Sequence, residues 1–358
     1  MEYRPLGGSG LLVSELTLGA MMLGPWGNPD QRDCERIVAA AVDGGVNLID
    51  TADAYSQGES ERIVGRAVRD LPDVLVATKL NAQMGDGRNR SGQARRWVVA
   101  ACEDSLRRLG RDHIDLYQLH RPDRTTALEE TLEALSELVV AGKVRAVGAS
   151  NTPAERIVEA RWLVRRRGLA ALCSEQAPYS ILDRHVERAV LPTCERHGLG
   201  VLVWSPLNGG WLTGRHRRDH PPHISSRGAV AARHIDRSLP ENQRKLELVE
   251  QLLPIAADLG CSMIGLAHAF VLSHPAVTSS IMGVRTMEQL AGQLDAPRRL
   301  PAGVLDRLDE LVGPGTQVSP DWQTPDHYHR RVGRRRTDER GAAGGRIDGV
   351  ADAAGWRR

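Results

Sequence analysis

The chain has 358 residues, of which 41% are hydrophobic and 26% charged, and its formal net charge is +2 at pH 7. This composition is typical of a globular protein, and the near-neutral charge gives no reason to expect nucleic acid or an anionic membrane as a partner. The sequence contains no run of about 18 apolar residues, and its five cysteines include no C-x-x-C pair. We therefore expect a cytoplasmic protein with reduced cysteines, and neither a membrane span nor a disulfide framework.

Short apolar segments alternate with longer segments of helical period along most of the chain. Residues 2–15 come first and predict a hairpin around the glycine turn GGSG. Strands are predicted at 16–20, 47–51, 74–79, 114–120, 144–150, 172–176, 200–204 and 278–283. Helices are predicted near 31–43, 59–69, 92–109, 127–141, 153–167, 185–197 and 241–259.

The order of these elements predicts an α/β fold, a parallel (β/α)₈ TIM barrel preceded by the hairpin. Most strand ends recur at about 30 residues, which is the size of one βα unit. Eight strands separated by helices favour a closed barrel over an open doubly wound sheet. The open sheet would need a G-x-G-x-x-G pattern after its first strand, and that pattern does not occur there.

Two segments fall outside the repeat. Residues 208–240 form a long loop after the seventh predicted strand, rich in Gly, Arg, His and Pro, and such loops are functional flaps or disordered. Its histidines His216, His220 and His223 have spacings that a metal could use, but we interpret them as part of a polar flap and predict no metal site. Residues 331–358 lack periodicity and predict a disordered tail after a single barrel domain over 1–330.

Polar residues end three neighbouring predicted strands, and in a parallel barrel those ends meet at one mouth. Asp50 and Tyr55 follow the second strand. Lys79 ends the third strand and His120 ends the fourth. Taken alone, Asp50 is better interpreted as a turn or helix-capping acid. The four residues together suggest proton transfer, because a lysine ammonium favours the phenolate of a weakly acidic tyrosine and a carboxylate keeps the lysine charged. With no paired carboxylates and no nucleophile elbow at this rim, reduction of a carbonyl fits best.

Seven segments in order carry a family resemblance: NLIDTADAY, VLVATK, IDLYQLHRP, GASN, EQAPYS, VLVWSPL and GVRTMEQL. They resemble the aldo-keto reductase family over roughly residues 1–325, in particular a long-loop bacterial branch similar to potassium-channel β-subunits. The resemblance implies a catalytic tetrad of Asp50, Tyr55, Lys79 and His120, with Tyr55 as proton donor and His120 orienting the substrate oxygen. It also implies a nicotinamide that lies across the barrel mouth.

The same resemblance implies which residues bind the cofactor. Ser150, Asn151 and Gln176 would bind the nicotinamide carboxamide, and Trp204 would stack on its ring. Strand eight and the helix after it would hold the adenosine. The other cofactor-binding candidates lie at strand ends or in the following loops: Gly19, Met21, Asp50, Ser205, Pro206, Leu207, Gly210, Gly283 and Gln293.

The resemblance also implies which residues bind the phosphates of the cofactor. Arg285 and Gln289 would hold the 2′-phosphate at a helix N-terminus, where dipole and guanidinium both suit a dianion, so the pattern favours NADP(H) over NAD(H). Arg215 and Arg227, in the long loop, would clamp the pyrophosphate, as basic residues do in the related branch.

The substrate would contact Trp26, Tyr55, His120 and Arg121, and Arg121 stands where several relatives carry Trp. We expect an NADPH-dependent enzyme that reduces an aldehyde or ketone to an alcohol, with this small molecule as its predicted partner. The alternative is a regulatory protein that binds NADP(H) and senses its redox state with little turnover, as the channel β-subunits partly do.

Overall fold

Eight parallel strands close into a barrel in the computed structural model of the chain, which describes residues 1–220, 234–296 and 299–319. Each strand pairs with the next one along the chain and the last pairs with the first, so the sheet has no open edge. The barrel strands are β3 (Leu16–Gly19), β4 (Leu48–Asp50), β5 (Leu75–Leu80), β6 (Ile114–Leu119), β7 (Val144–Ser150), β8 (Leu172–Pro178), β9 (Gly200–Trp204) and β10 (Val277–Gly283). The predicted (β/α)₈ fold is confirmed, and all eight predicted strands are present.

Helices cover the outside of the barrel, which explains why the strands are apolar on both faces. In the described part of the chain they are α1 (Gln31–Asp43), α2 (Glu59–Ala67), α3 (Arg95–Leu109), α4 (Leu128–Val140), α5 (Ala154–Arg167), α6 (Val190–His197), α7 (Pro240–Asp258), α8 (Met263–Ser273), α9 (Met287–Leu294) and α10 (Ala302–Leu311). The predicted helix 185–197 is divided into a 3₁₀ turn at His185–Arg188 and the shorter α6. Pro192 accounts for the break, because it lacks an N–H and clashes with a carbonyl of the preceding turn.

The hairpin of β1 (Tyr3–Pro5) and β2 (Leu12–Ser14) is confirmed, and it packs into the end of the barrel opposite the strand C-termini. Leu6 and Val13 belong to the same apolar cluster as the side chains that fill the barrel interior. Gly7 has a φ of 53°, and a Cβ there would lie 2.1 Å from the carbonyl oxygen of Cys173. Only glycine tolerates both conditions, so the turn fits tightly against the barrel.

The described part of the predicted long loop after the seventh barrel strand begins with a 3₁₀ segment, Asn208–Thr213, and residues 221–233 of this loop lie outside the described residues. The predicted tail 331–358 lies outside the described residues, so the domain division at residue 330 stays a prediction. Among the described helices, none is by itself long and apolar enough to cross a membrane, and α7 with α8 passes that test only as a pair bent by 87°.

Candidate active site

Lys79 and Asp50 form a buried ion pair at the mouth of the barrel. Lys79 Nζ lies 2.6 Å from Asp50 Oδ2, and the two side chains are 0% and 4% exposed. Burial disfavours the ammonium, but the charges of Asp50 and Tyr55 outweigh burial and raise the pKa of Lys79 above its ordinary value. The ammonium is therefore retained at neutral pH in a fixed position.

Tyr55 is held beside this ion pair by a strained turn. Its hydroxyl accepts a hydrogen bond from Lys79 Nζ at 3.2 Å, and the same nitrogen lies 4.9 Å from the centroid of the tyrosine ring. Immediately after it, Ser56 and Gln57 have φ angles of 49° and 55°. Residues other than glycine rarely adopt such angles, and they persist where surrounding contacts over-determine the backbone. This turn therefore fixes the phenol against the ammonium.

His120 and Trp26 border the tyrosine. The His120 ring meets the Tyr55 ring edge-on, with centroids 5.8 Å apart and planes at 82°. Burial, helped by the charges of Lys79 and Arg121, holds the pKa of His120 well below its ordinary value. A neutral imidazole can donate a hydrogen bond to a carbonyl oxygen without being the proton source. The Trp26 ring lies 6.3 Å from that of Tyr55, and its backbone N–H donates to Ser56 Oγ.

Gln118 is a member of this site that the sequence pattern does not predict. Its Nε2 donates to Asp50 Oδ1 at 3.1 Å, and Gln176 Nε2 donates to the same oxygen at 2.8 Å. Asp50 therefore has one oxygen on Lys79 and the other on two amides. Gln118 precedes His120 by two residues, the spacing that puts two side chains on one face of a strand, so a signal for it was present. Thr51 also contributes, since its carbonyl accepts a hydrogen bond from Lys79 Nζ at 2.8 Å.

The residues expected at the nicotinamide lie at the ends of β7, β8 and β9. Ser150 Oγ donates to the Gln176 carbonyl, and Asn151 Nδ2 donates to Ser150 Oγ, each at 2.9 Å. Asn151 has a φ of 58°, the kind of backbone often found in functional loops. Trp204 packs on the apolar cluster of the barrel interior, and its Nε1 is buried without a hydrogen-bond partner among the described residues. A flat aromatic surface next to amide and hydroxyl groups is a chemically suitable site for a carboxamide-bearing ring.

The segment that follows Trp204 has an unusual backbone. Positive φ angles occur at Ser205, Asn208, Gly209 and Gly210. A Cβ on Gly210 would meet no atom within 4 Å, so this backbone borders open space that a cofactor could enter. Pro206 is buried and Leu207 is partly buried beside it. The structure thus places the predicted loop residues together, next to the indole.

Of the two predicted pyrophosphate clamps, Arg215 and Arg227, the structure describes only Arg215. Arg215 is exposed just after the 3₁₀ segment, and its backbone N–H donates to Thr213 Oγ1 at 3.4 Å. Arg227 lies outside the described residues, as does His223. Of the other two histidines considered for a metal, His216 stacks on Trp211 with centroids 4.4 Å apart, and His220 contacts Asp219. Within the described ranges, no group of three His, Cys, Asp or Glu side chains could hold a metal ion.

The start of α9 presents the features expected at an adenosine phosphate. Thr286 caps the helix by accepting a hydrogen bond from the Gln289 N–H at 3.2 Å. Gln289 Oε1 in turn accepts from the Arg285 N–H at 2.9 Å, which holds Arg285 at the helix N-terminus. Gly283, just before it, is exposed, and a Cβ there would meet no atom within 4 Å. Open space, a helix N-terminus and a guanidinium together fit an anionic group.

Three predicted cofactor residues have other surroundings. Gln293 is 2% exposed and donates from Nε2 to the Gly283 carbonyl at 3.2 Å, while its Oε1 lies 3.1 Å from His268 Nε2. At Gly19, a Cβ would lie 2.8 Å from the Ile281 side chain, so strand packing already requires glycine there. Met21 is partly buried in the turn after β3. As cofactor ligands these three stay predictions.

The family assignment follows from comparison of the whole chain with known proteins. Residues 15–312 match the model of the aldo/keto reductase family, which spans the barrel and the site described above. The chain belongs to the aldo-keto reductase family. Members of this family are carbonyl-reducing oxidoreductases that use nicotinamide cofactors, so the chain is an oxidoreductase of that kind.

Individual relatives show what the chain is similar to. A probable voltage-gated potassium channel subunit beta of Oryza sativa is 36% identical over 87% of this chain and 97% of its own length. The aldo-keto reductase YhdN of Bacillus subtilis is 33% identical, covering 87% and 92%. An NADH-specific methylglyoxal reductase of Escherichia coli is 36% identical, covering 81% and 91%. The resemblance to both reductases and channel-subunit-like proteins is thereby confirmed.

Proposed function

We propose that the protein reduces an aldehyde or ketone to an alcohol with NADPH, and that Tyr55 donates the proton. The observation that carries this proposal is the hydrogen bond from Lys79 Nζ to the Tyr55 hydroxyl, backed by the buried Lys79–Asp50 ion pair. A bound nicotinamide supplies the hydride that the carbonyl carbon receives.

The protein residues divide the remaining work. As the carbonyl carbon gains hydride, negative charge develops on its oxygen, and Tyr55 gives that oxygen its proton. The Lys79 ammonium stabilises the phenolate left behind, because opposite charges in a buried site attract strongly. Asp50 keeps the ammonium charged and in place. The neutral His120 ring donates a hydrogen bond to the substrate oxygen and aims it at the Tyr55 hydroxyl.

The direct test compares wild type with Tyr55→Phe, which removes only the hydroxyl. NADPH oxidation is followed with a panel of aldehydes and ketones, and NADPH affinity is measured separately by fluorescence. We expect kcat to fall by at least about 100-fold while NADPH affinity stays within about threefold, since proton transfer by a placed side chain contributes at this level. Equal turnover by the two proteins would remove Tyr55 from the proposal.

The competing hypothesis is a regulatory protein that binds NADP(H) with little turnover. The name of the rice relative describes a channel subunit, which gives this hypothesis its support. The assembled tetrad favours turnover, because a site that only binds cofactor has no use for a proton donor tuned by a buried ion pair. If wild type binds NADPH and oxidises it no faster than background with every carbonyl, the regulatory hypothesis replaces the enzyme.

The preference for NADPH rests on Arg285 at the N-terminus of α9. Family membership leaves this choice open, because the E. coli relative is named as NADH-specific. Arg285→Ala should weaken NADPH binding by about 10-fold or more, the effect of losing a charge-assisted contact, and leave NADH within about twofold. Arg145→Ala, an exposed arginine at the start of β7, is the matched control. Equal losses for the two cofactors would contradict the assignment.

We also propose a cytoplasmic location. The five cysteines are all free, and four of them are buried, as expected of a protein kept in a reducing compartment.

A further inference from the structure

Arg121 is a half-buried cation at the barrel mouth, next to the proton donor. It follows His120 directly, and its charge is one cause of the lowered pKa of that histidine. Burial lowers the pKa of Arg121 and the neighbouring Tyr55 opposes this, which places the guanidinium within electrostatic reach of the phenol. An arginine nevertheless stays charged at neutral pH. The guanidinium makes no hydrogen bond or ion pair with any residue that the structure describes.

Asp123, close to Arg121 in sequence, and Asp50, at the same barrel mouth, are both occupied by other groups. Asp123, two residues further on, accepts hydrogen bonds from the Gln93 N–H at 2.9 Å and from the Thr125 and Thr126 hydroxyls at 2.7 and 2.8 Å. Burial would raise the pKa of Asp123, but these bonds outweigh it and lower that pKa. Asp50 is occupied by Lys79 and two amides. Both carboxylates therefore serve other groups, and Arg121 has no counter-ion among the residues that the structure describes.

The backbone at Arg121 is braced rather than loose. Gln93, which is 2% exposed, donates from Nε2 to the Arg121 carbonyl, and its own N–H is held by Asp123. A partly buried, uncompensated cation costs free energy, and the braced turn maintains it beside the reacting groups. Positions of this kind suit a ligand that carries the missing negative charge.

We propose that Arg121 binds a carboxylate on the substrate, so that the protein acts preferentially on oxo acids and semialdehyde acids. This inference rests on the proposed function, because it places the anion relative to Tyr55 and His120. A guanidinium presents two parallel N–H donors that match one carboxylate. That bidentate contact fixes both the position and the rotation of the substrate, and so directs the carbonyl oxygen to the proton donor. A single guanidinium matches a monoanion better than a phosphate dianion.

Acid and methyl-ester pairs with the same carbonyl test the inference. The pairs are pyruvate with methyl pyruvate, succinic semialdehyde with methyl 4-oxobutanoate, and 4-formylbenzoate with methyl 4-formylbenzoate. Because an acid and its ester differ in intrinsic reactivity, the deciding quantity is the change in the acid-to-ester ratio of kcat/KM between wild type and Arg121→Leu. We expect this ratio to fall by at least about 10-fold for at least one pair, the loss of one charge-assisted contact.

The controls separate substrate binding from other roles. Arg121→Lys should retain part of the acid preference, since it keeps the charge without the planar fork. Arg145→Leu should leave the ratio unchanged, and NADPH affinity and Tm should match wild type in every variant used. An unchanged ratio in Arg121→Leu for all three pairs, or an equal loss for acids and esters, overturns the inference.

Two further outcomes are decisive. The ratio of kcat/KM for glyceraldehyde 3-phosphate to that for glyceraldehyde is measured in the same two proteins. If Arg121→Leu changes this ratio more than the ratio of every acid and ester pair, the group bound is a phosphate and the carboxylate assignment is wrong. If wild type reduces neither these pairs nor any other carbonyl, the proposed function itself fails and this inference with it; if it reduces other carbonyls but none of these pairs, only this inference is overturned. Reduction of the esters with no carboxylate effect, by contrast, leaves the proposed function intact.

Discussion

Lys79 at the barrel mouth and Lys245 in the outer helical layer are both buried, with exposures of 0% and 1%. Their pKa values nevertheless move in opposite directions. The pKa of Lys79 is raised, because Asp50 is bonded to it. Burial lowers the pKa of Lys245 to about 8, since the opposing charges of Glu241 and Asp183 do not outweigh it, and the ammonium lies 5.7 Å from the centroid of the Trp211 ring. Burial alone therefore does not give a lysine that can assist catalysis; the bonded carboxylate does.

Asp50 and Glu175 show the same contrast for acids. Asp50 receives three hydrogen bonds from side chains at the mouth. Glu175 points outward from β8, accepts one hydrogen bond, from the Thr152 N–H, and has its other oxygen buried without a partner in the described residues. Burial raises the pKa of Glu175 to about 8. The ion pair with Asp50 thus preserves the charge of Lys79 at the mouth, whereas burial without a bonded counter-ion suppresses the charge of Glu175.

Asp50→Asn should have the largest effect, because it turns Lys79 into a lysine like Lys245. We expect kcat to fall by about 100-fold or more. The free energy of unfolding should fall by about 3 kcal/mol, the usual result of leaving a buried charge unpaired. The pKa of Lys79 should fall, so the loss of activity that accompanies rising pH should occur at a lower pH than in wild type. In wild type the raised pKa of Lys79 adds stability that is complete below pH 10.5 and is lost only as pH rises further. A pH profile of kcat and denaturant titrations check these points.

Asp53→Asn is the matched control, three residues away in the same segment. Burial and the charge of Glu61 raise the pKa of Asp53 well above its ordinary value, which favours the neutral carboxyl. The amide resembles that neutral form, so it should replace the carboxyl with less than about a threefold change in kcat. A large loss here would mean that Asp53 takes part in the proton chemistry after all.

Glu175→Gln should remove a pH dependence of stability. With a folded pKa of about 8 against an ordinary 4.5, the folded protein binds more protons in that interval, so wild-type stability falls as pH rises from 4.5 to about 8. The total is at most about 5 kcal/mol. In the variant this part of the slope should vanish, and Tm at pH 8 should rise. Free energies of unfolding at pH 5, 6.5 and 8 measure this pH dependence in both proteins. If the slope is the same in Glu175→Gln, another group causes the pH dependence.

Lys245→Met should stabilise the protein near neutral pH by about 1–3 kcal/mol, since it replaces a poorly paired buried amine with an apolar chain. The pKa of Lys245 is depressed from 10.5 to about 8, so wild-type stability should recover as pH rises through that interval, and the variant should lack the recovery. Calorimetry at pH 7 and 10 makes the comparison. A destabilised variant with unchanged kcat would reveal a partner for this lysine.

The smallest effect is expected where charges are exposed. Arg307 and Asp258 pair at 3.1 Å with exposures of 46% and 62%. Arg307→Ala should change the unfolding free energy by less than about 0.5 kcal/mol, because water screens such pairs. A value above 1 kcal/mol would show that exposure does not separate these classes of ion pair.

There is a physical reason why the sequence pattern predicts the barrel strands and the ionisable residues at their ends. Buried parallel strands are short, apolar and evenly spaced, and a strand end that carries an ionisable residue is conspicuous against them, as at Lys79. The helix α8 escaped prediction because it is apolar all round, with nine of its eleven residues buried, and so shows no helical periodicity. The roles of Gln93 and Glu175 depend on contacts between strands and loops far apart in sequence. No local pattern contains that information.

The hairpin at the closed end of the barrel has a consequence for proton supply. Leu6 and Val13 fill the floor together with Leu48, Ala77 and Leu116, so apolar side chains lie beneath the tetrad. Under the proposed mechanism, the phenolate left on Tyr55 after each turnover would recover its proton through the open end, which substrate and cofactor would also use. Reprotonation of Tyr55 would thereby be coupled to product release. Leu6→Ser, which wets the floor, should therefore reduce the solvent isotope effect on steady-state turnover; an unchanged effect would argue against this coupling.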